Sequence, residues 1–157
     1  MKKLQIHSAI YECQMDELSP EEQQLVNKAI VSTNHSYAPY SDFHVGAALL
    51  LDDGTMLPGC NQENAAFPAG LCAERSAIFA AGAQYPDAKP VALAIAARDN
   101  FGALTQEPVS PCGTCRQVII ETETRYKQPL RILLYGKRCI FKMEGISNLM
   151  PLSFTEF

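Results

Sequence analysis

A chain of 157 residues with 47% hydrophobic and 19% charged side chains is long enough for one domain with a sizeable core and too apolar to be disordered. Its formal net charge of -4, with no run of Lys or Arg longer than two, speaks against a nucleic-acid surface as its main business. No apolar run approaches the roughly 18 residues of a membrane span, and the opening MKKLQIHSAIYEC alternates where a signal peptide would carry an apolar stretch. A cytoplasmic chain is therefore expected, and its six cysteines read as metal or catalytic groups before they read as disulfides.

Residues 2–13 alternate weakly through Leu4, Ile6, Ser8 and Ile10, as an edge strand or an arm would. Residues 1–18 are set apart on this basis as an N-terminal extension to a domain over 19–157. LSPEEQQLV then carries a helix start: Ser19 as N-cap, Pro20 in the first helical position, and Glu22 closing a capping box. Leu25, Val26, Ala29 and Ile30 follow at helical spacing, with Pro39 well past the end. A hairpin is predicted next, from a strand over 45–51 through the tight-turn pair Asp53-Gly54 and back through Met56 and Leu57. A helix over about 72–84 follows, then a buried strand in KPVALAIAARD between Pro90 and Asp99. PCGTCRQVIIETETRY reads as helix, LRILLYG as a buried strand, KRCIFKM as a second short strand, and GISNLMPLSF as one helical turn. This order predicts a mixed sheet with helices on both faces.

The chemistry concentrates in two segments, CAE at 72–74 and PCGTC at 111–115, each at the start of a predicted helix. Cys112 and Cys115 share a helix face and suit one ion. If both helices lie parallel against the sheet, Cys72 joins them, giving three thiolates and no fourth protein ligand. A structural zinc site is normally closed by four ligands, whereas three leave a position for water. Glu74 then supplies the carboxylate that moves the water's proton. Helix N-termini, with Arg75 and Arg116 directly after the motifs, offset the thiolate charge. Taken alone, Cys112 and Cys115 suit a redox dithiol equally well, but a dithiol accounts for neither Cys72 nor Glu74. Cys13, Cys60 and Cys139 read as small packing residues, and His7, His35 and His44 as surface or locally hydrogen-bonded groups.

CAERSAI and SPCGTCRQV match the zinc-deaminase pattern of a ligand-x-Glu followed by Pro-Cys-x-x-Cys. With YAPYSDFHVGAALL at 37–50, GCNQENAAFPAG at 59–70 and LMPLSF at 149–154, the chain resembles the small homotetrameric, three-cysteine cytidine deaminases over residues 19 to 155. The resemblance implies a three-layer α/β/α fold around a mixed five-stranded sheet. It implies one Zn²⁺ per chain on Cys72, Cys112 and Cys115, and a small-molecule nucleoside substrate, with neither nucleic acid nor membrane as partner. Hydrolytic deamination of cytidine and deoxycytidine would follow, by attack of zinc-bound hydroxide at C4 with Glu74 as proton shuttle, in pyrimidine salvage. Asn61 and Glu63 would hold the ribose, Phe43 would pack on the pyrimidine, and the backbone at Ala73 and Ser110 would meet the base. Arg75 would temper the ligand thiolates, and Phe154 would reach a neighbouring subunit's site. The family usually carries Pro where His44 stands. A zinc deaminase of another aminated heterocycle or a nucleoside antibiotic remains an alternative, as does a thiol-disulfide protein or a non-catalytic zinc module.

Overall fold

The computed structural model describes residues 1–155. Helix α1 (Pro20–Ser32) starts as its sequence predicts: Ser19 Oγ accepts from the Glu22 N–H at 3.3 Å, and Glu22 Oε2 accepts from the Ser19 N–H at 2.9 Å. This reciprocal box satisfies two donors that a helix start otherwise leaves open. Helices α2 (Ala73–Gln84) and α3 (Gly113–Tyr126) follow. The strands are β1 (Tyr11–Cys13), β2 (His44–Leu51), β3 (Met56–Cys60), β4 (Pro90–Arg98), β5 (Arg131–Tyr135) and β6 (Ile140–Glu144).

Among the described residues these strands form one sheet in the order β1-β6-β5-β4-β2-β3. The β4–β5 pair is parallel and every other pair antiparallel. The sheet is thus mixed, with six strands where five were expected. The extra one comes from the N-terminal segment, where Tyr11, Glu12 and Cys13 pair with Lys142, Phe141 and Ile140. Its side chains are exposed or half-buried, so backbone pairing rather than a buried face makes it a strand. The hairpin turns where Asp53-Gly54 predicts, with Gly54 at φ 86°, a left-handed conformation that glycine adopts without a Cβ clash.

Alternation along the strands splits the core in two. Ala47, Leu49, Leu51, Leu93, Ile95, Ile132 and Leu134 face α2 and α3, meeting Ala77, Ile78, Ile119 and Ile120. Ala48, Leu50, Ala92, Ala94 and Ala96 face Leu25, Val26 and Ala29 of α1. Each fully buried Leu or Ile contributes about 1.5–3 kcal/mol, and the two clusters hold helices to both faces. Gly59 lets α2 come close: a Cβ there would lie 2.3 Å from the Ala73 carbonyl oxygen.

The topology also places the site. Strands β3 and β4 are both antiparallel to β2 and so run in the same direction. Helix α2 follows β3 and α3 follows β4, so both helices start beyond the carboxyl ends of these strands, where open α/β sheets bind ligands.

Candidate active site

Cys72 is the N-cap of α2 and Cys112 the N-cap of α3, both in extended conformation, and neither side chain caps its own helix. Ser or Asp at such a position would fold back onto the first N–H groups. These thiols are free to project beyond the helix ends instead. Cys115 lies in the first turn of α3, buried, behind the exposed Cys112. The three sulfurs lie within 4.8 Å of one another, and the Cys72 and Cys112 sulfurs are 3.8 Å apart. Tetrahedral zinc with bonds of about 2.3 Å sets its sulfurs about 3.8 Å apart, so the cluster fits one zinc ion. No fourth His, Cys, Asp or Glu completes the group among the described residues.

The surroundings favour thiolate at Cys72. A hydrogen bond from the Cys115 thiol, together with Arg75 and Cys112, pulls Cys72 down to about 5 against the opposing effect of burial. The same Cys72 contact and burial hold Cys115 in its protonated form. Arg75 Nη2 donates to Cys72 Sγ at 3.4 Å, and its buried Nε has no hydrogen-bond partner among the described residues. Arg116 does not share this task. It donates from Nε to the Pro111 carbonyl at 2.9 Å and from Nη1 to the Leu149 carbonyl at 2.7 Å, tying the C-terminal segment to α3.

A cavity of about 300 Å³ opens beside the cluster and brings together Phe43, Asn61, Glu63, Cys72, Glu74, Ser110 and Cys112. Glu74, in the first turn of α2, is only 4% exposed, and burial raises its carboxyl above the ordinary value. Ala73 is fully buried in the core instead of lining the cavity. Phe154 is exposed, and its carbonyl accepts from Gln117 Nε2 at 2.8 Å. It is not among the residues that line this cavity.

Asn61 and Glu63 are already bonded to the chain. Asn61 Oδ1 accepts from the Val45 N–H at 2.8 Å and its Nδ2 donates to the Phe43 carbonyl at 2.9 Å. Glu63 Oε2 accepts from the Tyr40 and Ser41 N–H groups at 2.8 and 3.3 Å, while the Ser41 hydroxyl donates to Oε1. The Ser41 and Tyr40 bonds hold Glu63 below the ordinary carboxylate range. The cavity also includes Ser41, Val45, Ile95 and Val109, which the sequence alone did not single out. The two-residue spacing of Phe43 and Val45 was the available signal, whereas Ser41 lies before β2, on the far side of left-handed Asp42. His44, between them, turns its ring to Ser36 Oγ and lies 3.6 Å from Asp42, a local bonding role of the kind expected.

A family model described as the cytidine and deoxycytidylate deaminase zinc-binding region matches residues 19–127. A cytidine deaminase of Halalkalibacterium halodurans is 45% identical over 135 residues, covering 86% of this chain and 95% of that protein. One from Sporosarcina psychrophila is 46% identical over 99 residues, 63% of this chain and 68% of that protein. Among solved structures, a cytidine deaminase from Burkholderia pseudomallei superimposes with a TM-score of 0.71 at 36% identity, covering 83% of this chain and 97% of its own. One from Mycobacterium tuberculosis gives a TM-score of 0.67 at 32% identity, covering 88% and 100%.

Proposed function

The chain belongs to the cytidine and deoxycytidylate deaminase family, and from that premise we propose that it hydrolyses cytidine and deoxycytidine to uridine and deoxyuridine with release of ammonia. The observation that carries this is the cavity itself. One space of about 300 Å³ is walled by two thiols of a three-thiol cluster, a buried carboxyl, an aromatic ring and an amide–carboxylate pair. Relatives named cytidine deaminases supply the substrate class.

Cys72, Cys112 and Cys115 would hold the zinc, which when bound lowers the pKa of a water to roughly 7 and so supplies a nucleophile at neutral pH. Glu74 would accept a proton on its carboxylate from the attacking water and deliver it to N3 of the pyrimidine. A carbon–oxygen bond would form at C4; Glu74 would then take the remaining proton from that oxygen and pass it to the amino nitrogen as the C4–N4 bond breaks, leaving a C4 carbonyl and free ammonia. Burial suits Glu74 to this exchange, because a raised carboxyl accepts a proton more readily than an exposed one. Arg75 tempers the charge on Cys72 through its 3.4 Å contact.

Phe43 packs on the ring, and the backbone at Ser110 meets its polar edge. Asn61 and Glu63 meet the sugar. A carboxylate offers about four acceptor sites, and three contacts from Tyr40 and Ser41 already fall on Glu63. About one site is left for a sugar hydroxyl, which accords with a substrate set that includes both ribose and deoxyribose. Cytoplasmic pyrimidine salvage is the role proposed. Among the described residues no helix is long and apolar enough to cross a membrane. Residues 19–157 form the catalytic unit, assembled as a homotetramer whose mass sedimentation would measure, with residues 1–18 extending the sheet.

Metal analysis together with the loss of cytidine absorbance tests the function. About one zinc per chain with turnover is expected. Zinc without turnover on any nucleoside would leave a structural module, and metal-free chain with redox activity at Cys112 and Cys115 would favour the dithiol.

A further inference from the structure

We propose that Ser41 is a positioning residue that locks the sugar-facing carboxylate of Glu63 to the ring-facing Phe43, so that both walls of the nucleoside cavity are set by one hydroxyl. Its role presupposes the nucleoside reading above. The Ser41 hydroxyl donates to Glu63 Oε1, and its oxygen accepts from the Phe43 N–H at 3.1 Å. One hydroxyl has one proton to give and lone pairs to accept with, so both contacts form at once without conflict. The accepting contact spans residues i and i+2, the local turn that serine side chains favour.

Between the two contacts lies Asp42, at φ 55°. Its N–H donates to the Ala38 carbonyl at 3.0 Å, closing the loop before the chain reverses into β2. A non-glycine residue with left-handed backbone is uncommon, and here it aims Phe43 at the cavity. Asn61 then grips the backbone on both sides of His44, at the Phe43 carbonyl and the Val45 N–H. Phe43 is thereby held through its own N–H by Ser41 and through its carbonyl by Asn61. The Tyr37 N–H donates to the Asn61 carbonyl and the Glu63 N–H to the Tyr37 carbonyl, at 3.0 and 2.8 Å, so the loop and the strand end carrying Asn61 and Glu63 move as one piece.

Glu63 is half-buried, and a glutamate side chain with no such bonds samples many rotamers. Fixing it before the sugar arrives removes an ordering cost from binding. This acts equally on bound substrate and on the transition state, so Ser41 belongs in KM and not in kcat.

Steady-state kinetics on cytidine, with the zinc-loaded full chain, test the idea. Ser41→Ala is expected to raise KM about tenfold, equivalent to ~1.4 kcal/mol, with kcat within about twofold and about one zinc per chain. Ser41→Thr, which keeps the hydroxyl, should restore KM to within about threefold of the unaltered chain. In a Glu63→Gln background, Ser41→Ala should add less than about threefold, because only the Phe43 contact and a weaker bond to a neutral amide are left to lose. If Ser41→Ala does not fold, Ser41→Cys, similar in size and a weak donor, carries the same comparison. An unchanged KM in Ser41→Ala, a fall confined to kcat, no rescue by Thr, or a full tenfold loss repeated in Glu63→Gln would each overturn the assignment. An unaltered chain that turns over neither cytidine nor deoxycytidine would overturn the nucleoside reading and this one with it, whereas an active chain indifferent to Ser41→Ala would overturn this one alone.

Discussion

Glu74 sits where a carboxylate is costly, 4% exposed in the first turn of α2. An apolar or amide residue would pack there more cheaply, and the proposed proton exchange would account for the carboxyl. Positioned proton transfer contributes about 10²–10⁴-fold to rate. Glu74→Gln keeps the volume and removes the proton exchange, so turnover of cytidine should fall by about that factor while zinc stays near one per chain. Steady-state rates beside metal analysis give both numbers, and near-normal turnover would take Glu74 out of the mechanism. Glu74 and the three thiols were legible from sequence because residue type and spacing carry their chemistry: Cys-x-Glu and Pro-Cys-x-x-Cys each open a helix. Arg116 was not legible. Its place beside the motif suggested charge compensation, and nothing local announced that its guanidinium also reaches the Leu149 carbonyl, 33 positions along the chain. Ser41 escaped for the same reason, since its importance lies in a contact with Glu63 that only the folded loop creates.

The elements hold these residues through a few close approaches. A Cβ at Gly59 would stand 2.3 Å from the Ala73 carbonyl oxygen, within the first turn of α2 and directly beside Cys72 and Glu74. Gly59→Ala must push that turn outward, and overpacking of this kind costs about 1–3 kcal/mol. The expected result is a lower melting temperature with weaker zinc binding, measured by competition against a chelator. Gly46→Ala makes the matching test, because its Cβ would lie 2.2 Å from the Ala29 carbonyl oxygen of α1, which carries no metal ligand. It should lower stability and leave zinc affinity near that of the unaltered chain. Equal loss of zinc affinity in both would show that general instability, not the seat of α2, governs the metal.

Helix α1 has its own anchor. Glu22 is 4% exposed, and its Oε1 lies 2.7 Å from Lys142 Nζ and 3.4 Å from Arg131 Nε. Burial alone would raise its carboxyl, but the close Lys142 ammonium, the Ser19 N–H and the charge of Arg131 prevail and hold it below the ordinary value. A carboxyl depressed on folding contributes stability above its unfolded pKa of roughly 4.3 and loses it as pH falls through the folded value. Glu22→Gln should therefore lower stability at pH 7 by about 1–2 kcal/mol, with the gap closing as pH falls below roughly 4. Denaturant unfolding at several pH values measures it, and a gap independent of pH would show that the charge is not what binds α1 to the sheet. The capping box of α1 was legible because Ser19 and Glu22 are three apart. The ion pairs were not, because β5 and β6 come more than a hundred residues later.

At the scale of the molecule, sequence order and hydrophobic pattern predicted the layering of helices on both faces, because buried strands and capped helices announce themselves. The sixth strand was half legible: the weak alternation over residues 2–13 allowed an edge strand or an arm, and backbone pairing with β6 decides for a strand at Tyr11–Cys13 alone, because its exposed residues bury little. The surface poses the remaining question. Tyr40, Phe67, Phe79 and Phe154 are large and exposed, and exposed apolar groups of this size mark contact surfaces. If the chain assembles as a tetramer in which Phe154 completes the cavity of a neighbour, a chain ending at residue 153 has an intact Glu74 and a defective wall in the adjoining site. It should sediment as smaller species, melt near the intact chain's temperature, and turn over cytidine poorly. Mixing separates a contribution between chains from local damage at Gln117, whose amide donates to the Phe154 carbonyl. Full-length Glu74→Gln chains supply Phe154 without a working carboxyl, and shortened chains supply the carboxyl without Phe154. After co-folding, sites made from one of each should recover turnover that neither partner shows alone. No recovery, with the shortened chain still of full mass, would confine Phe154 to its own α3 and remove it from any neighbour's site.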